Sequence, residues 1–177
     1  MNVEVTESYK AYTPPVDIAP IVRSLIRYVP EKCLPGLSRV VLTNSSGLSR
    51  QERREQTWSR GRKTHIADAH AYYHKVSTVG PARIEIFVDN VTNSCGPQLL
   101  RLPLIRDYIV ANTLYHEIGH HIHQTIRPEH TDPETAADRW GAQLTAHFFR
   151  RRYWYLALLT YPIFALLNLC KRVVRRR

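Results

Sequence analysis

Cysteine is scarce in this chain of 177 residues: Cys33, Cys95 and Cys170 are too widely spaced to form a CxxC pair. An odd, scattered set does not make a disulfide framework, which argues against a cystine-stapled secreted scaffold and for a reducing compartment. The opening MNVEVTESYKAYTPP lacks the basic-then-apolar order of a secretory leader, so export by that route is not expected. Internal repeats and low-complexity tracts are also missing. With 44% apolar and 23% charged residues, the sequence fits one globular domain with a small appendage.

Negative charge is absent from His147 onward, where eight Lys and Arg stand with no Asp or Glu. The formal charge of +10 therefore belongs to the tail: the other 17 basic residues face 15 acidic ones, leaving the first 146 residues at +2. That distribution argues against a nucleic-acid partner. The stretch SRQERREQTWSRGRK has six bases against two acids and reads as a solvated loop or helix face.

What is present is an order of elements. After an irregular start, Ile18, Ile21, Val22, Leu25 and Ile26 have the spacing of an amphipathic helix that begins near Asp17 and stops by Pro30. LSRVVLTN reads as a strand, and AHAYYHKVS and ARIEIFVDN as two more, with Ile84, Ile86 and Val88 on one face of the last. NVTNSCGPQ reads as a loop. Pro103 is placed to open a long helix running to about Ile126, whose Ala111, Leu114, Ile118 and Ile122 form a core stripe. RPEHTDP breaks it. A further helix starts near Pro133 with Asp132 as N-cap and a stripe of Ala137, Trp140, Leu144 and Phe148.

The densest chemistry lies in LYHEIGHHIHQ. In HEIGH, His116 and His120 are four apart, so both imidazoles project from one helix face one turn apart and can share a metal ion. Glu117 flanks that position and can take a proton from water there. Two ligands are too few for a catalytic site, which usually takes three from protein. On the next helix Glu134 and Asp138 are again four apart; Glu134 can reach the metal, and Asp138 can accept the free ring N–H of a ligand histidine. Glu134 also suits a plain helix-start carboxylate with Thr131 as its capping partner. His121, His123 and His130 read as surface or cleft-rim residues, His123 being the one on the metal face.

HExxH followed on a later helix by ExxxD resembles the gluzincins, zinc metallopeptidases of the thermolysin-like type, and among them the small ImmA/IrrE-like and minigluzincin members. The resemblance covers about Ala82 to Phe149. It implies Zn²⁺ held by His116, His120 and Glu134, with Glu117 as general base and Asp138 orienting a ligand. The short interval from His120 to Glu134 keeps Asp138 open as the third ligand, as in aspzincins; a metzincin is excluded, because it needs glycine at His123 and histidine at Ile126. The implied architecture is α+β and zincin-like: a small mixed sheet packed on an active-site helix and a following helix, with a C-terminal hydrophobic helix. The implied function is endopeptidase cleavage of protein or peptide. Tyr72, Tyr73 and His74 are candidates for the donor that stabilises the oxyanion, and RIEIFVD, as a cleft-bordering sheet edge, could bind substrate by strand addition. Other readings are a non-enzymatic zinc-binding membrane adaptor and a SprT-like DNA-associated peptidase.

Tyr153 to Cys170 contains no charged residue over 18 positions, about 27 Å as a helix, and arginines bracket it. This basic-flanked tail, 150–177 beside a peptidase domain of 1–149, is expected to contact membrane lipid by spanning, re-entering or lying in the plane; packing on its own domain or on a partner is the other possibility. The expected location is membrane-associated, with the catalytic domain in the cytoplasm.

Overall fold

The computed structural model describes residues 3–49, 51–59, 62–77, 80–128 and 131–155. The chain divides into two compact units, Met1–Thr145 and Ala146–Arg177. In chain order the strands are β1 (Glu4–Glu7), β2 (Leu37–Thr43), β3 (Gln56–Ser59), β4 (Arg62–His65), β5 (Ala71–His74) and β6 (Ala82–Phe87). The helices are α1 (Ala19–Tyr28), α2 (Val88–Cys95), α3 (Pro97–Leu100), α4 (Pro103–His121) and α5 (Pro133–Arg152). The fold is mixed α+β.

A four-stranded sheet has the order β1-β2-β6-β5, parallel from β1 to β6 and closed by antiparallel β5. Ile84 and Ile86, paired with Val40 and Leu42, are at most 1% exposed, as alternation predicts for a face covered by helices. Helix α1 forms where expected: the Asp17 carboxylate accepts the Ala19 N–H at 2.9 Å, and Val29 turns extended before Pro30. Its buried Leu25 gives its carbonyl to the buried Tyr115 hydroxyl of α4 at 2.9 Å, tying the two helices.

Four sequence expectations are corrected. The opening residues are not wholly irregular, since Glu4–Glu7 pair in parallel with β2. The basic stretch contains a short 3₁₀ turn, Glu52–Arg54, and the antiparallel hairpin β3–β4. The segment read as a loop is mainly α2, which begins at Val88 and takes that residue out of the strand. Its polar side chains find partners: Thr92 Oγ1 donates locally to the Val88 carbonyl at 2.7 Å, and Asp89 accepts from the distant Ser45 N–H and hydroxyl. Gly96, at φ +79°, ends the helix in a conformation that side chains disfavour. Finally, β6 is not a sheet edge. It lies between β2 and β5, and the edges are β1 and β5.

Helix α4 packs on α1, β5 and β6, with Ala111, Leu114 and Ile118 fully buried. It runs into a π-helical turn, Ile122–Ile126, ending where the sequence suggested. In α5, Asp132 is the N-cap: its carboxylate accepts the Thr135 N–H at 3.1 Å. Ala137 and Leu144 are buried as expected, whereas Trp140 is half-buried. Among the described residues no helix is long and apolar enough to cross a membrane; the apolar run expected in the tail lies, from residue 156, outside them.

Candidate metal centre

Two glycines bring α4 and α5 into backbone contact. A Cβ on Gly119 would stand 2.5 Å from the Ala137 carbonyl oxygen and 2.7 Å from its Cα, and one on Gly141 would stand 3.2 Å from the His116 Cα and N. Because Gly119 faces Ala137 while the earlier His116 faces the later Gly141, the helices run antiparallel through this contact. Gly119 and Gly141 were not singled out in the sequence. The available signal was a glycine inside HEIGH, which costs about 1 kcal/mol in a helix interior and calls for a packing reason.

This close approach carries Glu134 over the paired histidines. Its Oε1 lies 3.3 Å from His120 Nε2 and its Oε2 lies 3.6 Å from His116 Nε2. One donor atom from each of the three residues lies within 4.8 Å of the others, so the group could hold a metal ion. Tetrahedral coordination at about 2.1 Å separates ligand atoms by about 3.4 Å, in the range of the two measured spacings, which run to different oxygens of Glu134. Behind His116, Asp138 Oδ1 sits 2.9 Å from Nδ1. In neutral His116 the Nδ1–H is donated to that carboxylate, leaving the Nε2 lone pair facing the Glu134 oxygen. Two acceptors so placed suit a cation between them. Burial, aided by His116, lowers the His120 pKa to about 4, so its ring is neutral at ordinary pH and free to donate a lone pair.

The predicted residues therefore converge: His116, His120 and Glu134 line one cavity of about 230 Å³, with Glu117 beside them. Asp138 stands outside the donor group, with its side chain 59% exposed, and touches His116 from behind. Glu117 is 8% exposed, and burial together with the Glu134 charge pushes its pKa up to about 8. The Tyr73 backbone N–H donates to it, opposing that shift.

Among the three candidates for an oxyanion donor, two are committed elsewhere. The Tyr73 hydroxyl lies 3.0 Å from His121 Nδ1 and 3.4 Å from Thr125 Oγ1. His74 Nε2 contacts Glu85 at 3.2 Å, off hydrogen-bond alignment. Tyr72 lines the cavity, and among the described residues its hydroxyl makes no hydrogen bond. Burial and the nearby Glu55, Glu117 and Glu85 raise its pKa, keeping the phenol protonated as a donor.

His121 is a correction. It is fully buried, not on the rim, with Nε2 3.1 Å from the Pro35 carbonyl and Nδ1 on Tyr73, so it ties edge strand β5 to α4. His123 is likewise buried, at 9% exposed, and not on the surface or rim; it lies outside the donor group, and its Nδ1 has no hydrogen-bond partner among the described residues. His130 lies outside the described residues. Gln124, which the sequence reading missed, lines the cavity from the π-helical turn. A second recess of about 520 Å³ shares Tyr72, Tyr73 and Gln124 with the first and extends along β5 toward Lys75 and Ser77. No known protein family matches the chain, and neither a curated protein nor a solved structure matches it.

Proposed function

We propose that this protein is a zinc-dependent endopeptidase of gluzincin type with a zincin-like catalytic domain. The observation that carries the reading is the spacing of Glu134 from His116 and His120, 3.6 and 3.3 Å, with Asp138 2.9 Å behind His116 and the buried Glu117 alongside. His116, His120 and Glu134 would hold the ion, and Asp138 fixes the His116 tautomer so that Nε2 is the ligand atom. Zinc held there supplies Lewis acidity, making a water nucleophilic near neutral pH and polarising a substrate carbonyl.

The remaining chemistry belongs to the chain's own side chains. Glu117, whose ionised form a cation at the neighbouring donor group would favour, accepts the proton of the attacking water and passes it to the leaving amine. Tyr72 donates a hydrogen bond to the oxygen that gains negative charge. Edge strand β5 pairs with an extended peptide, whose side chains enter the adjoining recess. Extended peptide is therefore the substrate class. The tail attaches the enzyme to membrane lipid, with its catalytic domain in the cytoplasm.

The test is metal analysis and peptide cleavage by the wild type and by Glu117→Gln. Zinc retained in both, with cleavage only by the wild type, is the expected outcome. Bound zinc with no cleavage by either form points instead to a non-enzymatic zinc-binding adaptor.

A further inference from the structure

Seven large apolar side chains are exposed among the described residues, and four of them fall within ten consecutive positions: Leu99, Leu102, Leu104 and Tyr108, at 44, 50, 44 and 55%. Single exposed apolar residues are ordinary, but a local concentration marks a contact surface. Leu99 belongs to α3 and Leu102 immediately precedes α4, while Leu104 and Tyr108 are four apart and share one face of its first turns. The metal centre lies farther along the same helix and uses none of them.

The charged residues next to the patch in sequence leave one sign exposed. Between Asn90 and His116 the sole acidic residue is Asp107; it is 1% exposed and is held by Arg106, whose Nε and Nη2 donate at 3.0 and 2.9 Å. The exposed Arg101, beside the leucines, has no ion pair among the described residues. Leucine, tyrosine and an unpaired arginine together suit the interface of an anionic bilayer, where apolar groups enter the acyl boundary and the cation meets headgroups. A two-fold contact with a second copy would instead bring the patch onto itself and two Arg101 side chains toward one another.

Beyond the first unit, Arg150 to Arg152 and the uncharged run Tyr153–Cys170 follow in sequence and carry the lipid reading of the tail.

We infer that α3 and the first turns of α4 form a second lipid contact on the catalytic unit, with Leu99, Leu102, Leu104 and Tyr108 in the interface of an anionic bilayer and Arg101 at its headgroups. This rests on the membrane reading of the tail and is independent of the peptidase reading. The patch sets how the catalytic unit is presented at the membrane surface, while the tail supplies attachment.

The test uses the full chain on phosphatidylcholine vesicles with and without phosphatidylserine, reading flotation and amide hydrogen exchange over residues 98–106. In phosphatidylserine-containing vesicles these amides should exchange about tenfold more slowly than in the Leu102→Asp/Leu104→Asp variant, which still floats through its tail. Arg101→Glu should lose the phosphatidylserine dependence. Equal exchange in wild type and variant on vesicles that both proteins bind overturns the second contact and leaves the tail reading standing. A chain that does not float overturns both. Protection that rises with the protein-to-lipid ratio assigns the patch to contact between copies and likewise overturns the inference.

Discussion

Gly119→Ala tests whether helix contact builds the metal centre. In an open helix this change stabilises by about 1 kcal/mol, because alanine is the better helix former. Here the added Cβ meets the Ala137 carbonyl oxygen at 2.5 Å. Ordinary contact begins near 3.4 Å, so the backbones must part by roughly 0.9 Å, an overpacking that costs about 1 to 3 kcal/mol. The clash outweighs the propensity gain. Glu134 lies one turn before Ala137 on the displaced helix, and its spacings of 3.3 and 3.6 Å from the histidines would lengthen beyond what one ion spans. Zinc affinity should fall at least tenfold although every ligand is intact, read by competition with a chromogenic chelator, and the melting temperature should drop. Gly141→Ala, whose Cβ would meet His116 backbone at 3.2 Å, is the graded control and should show a smaller effect in both assays. Unchanged zinc affinity with a raised melting temperature in Gly119→Ala would refute the reasoning.

Further expectations address single side chains. Asp138→Asn should weaken zinc binding by about 10- to 100-fold, while Glu134→Ala removes stoichiometric zinc; equal affinities in metal titrations of Asp138→Asn and wild type would remove the orienting role. Tyr72→Phe should lower kcat by about 10- to 1,000-fold with zinc content unchanged, whereas Tyr73→Phe should appear as a stability loss of about 1 kcal/mol in denaturant melts. Glu117, with a pKa raised from 4.5 to about 8, keeps a proton in the folded metal-free domain that the unfolded chain has already released, so its contribution to stability is full below pH 4.5 and is lost as pH rises to 8. Chelator-treated Glu117→Gln should therefore gain in melting temperature over wild type at pH 8 relative to pH 5, and parallel pH dependences would count against the assignment. His120, depressed to about 4, has the opposite slope: the metal-free domain loses stability as pH falls from 6.5 toward 4, and His120→Gln should flatten that limb.

The parts of the site legible in the sequence were those set by helical periodicity. His116 with His120, and Glu134 with Asp138, are each one turn apart, so each pair shares a face wherever its helix goes. Strand partners were not legible in that way. Alternation places Ile84 and Ile86 inward, but nothing local tells whether β6 pairs on one side or both, so the condition that RIEIFVD is a sheet edge is not met. His121 was misread for a different reason. Leu114, Ile118 and His121 follow the i, i+4, i+7 stripe of the core, yet polarity was given more weight than phase; two hydrogen bonds from its ring make that burial tolerable. The segment now seen as α2 failed as a helix on composition, because Thr92, Ser94 and Asp89 satisfy their side chains locally or on Ser45.

The competing readings of Glu134 are separated by its neighbour. At the start of α5 one carboxylate is enough to cap the exposed N–H groups, and Asp132 takes that place, accepting from the Thr135 N–H at 3.1 Å and lying 3.3 Å from its hydroxyl. The Glu134 side chain then turns toward the histidines, where both of its oxygens find a ring nitrogen. Its place in the first turn still sets its negative charge against the positive end of the helix dipole. The two roles are compatible, and one test separates them. Asp132→Ala removes the cap and should cost about 1 kcal/mol in unfolding free energy with little change in zinc affinity, whereas Glu134→Gln should nearly abolish zinc binding with a smaller stability cost in the metal-free protein. If Asp132→Ala instead lost zinc as fully as Glu134→Gln does, the helix start as a whole would be the binding element, and assigning the third ligand to Glu134 would fail.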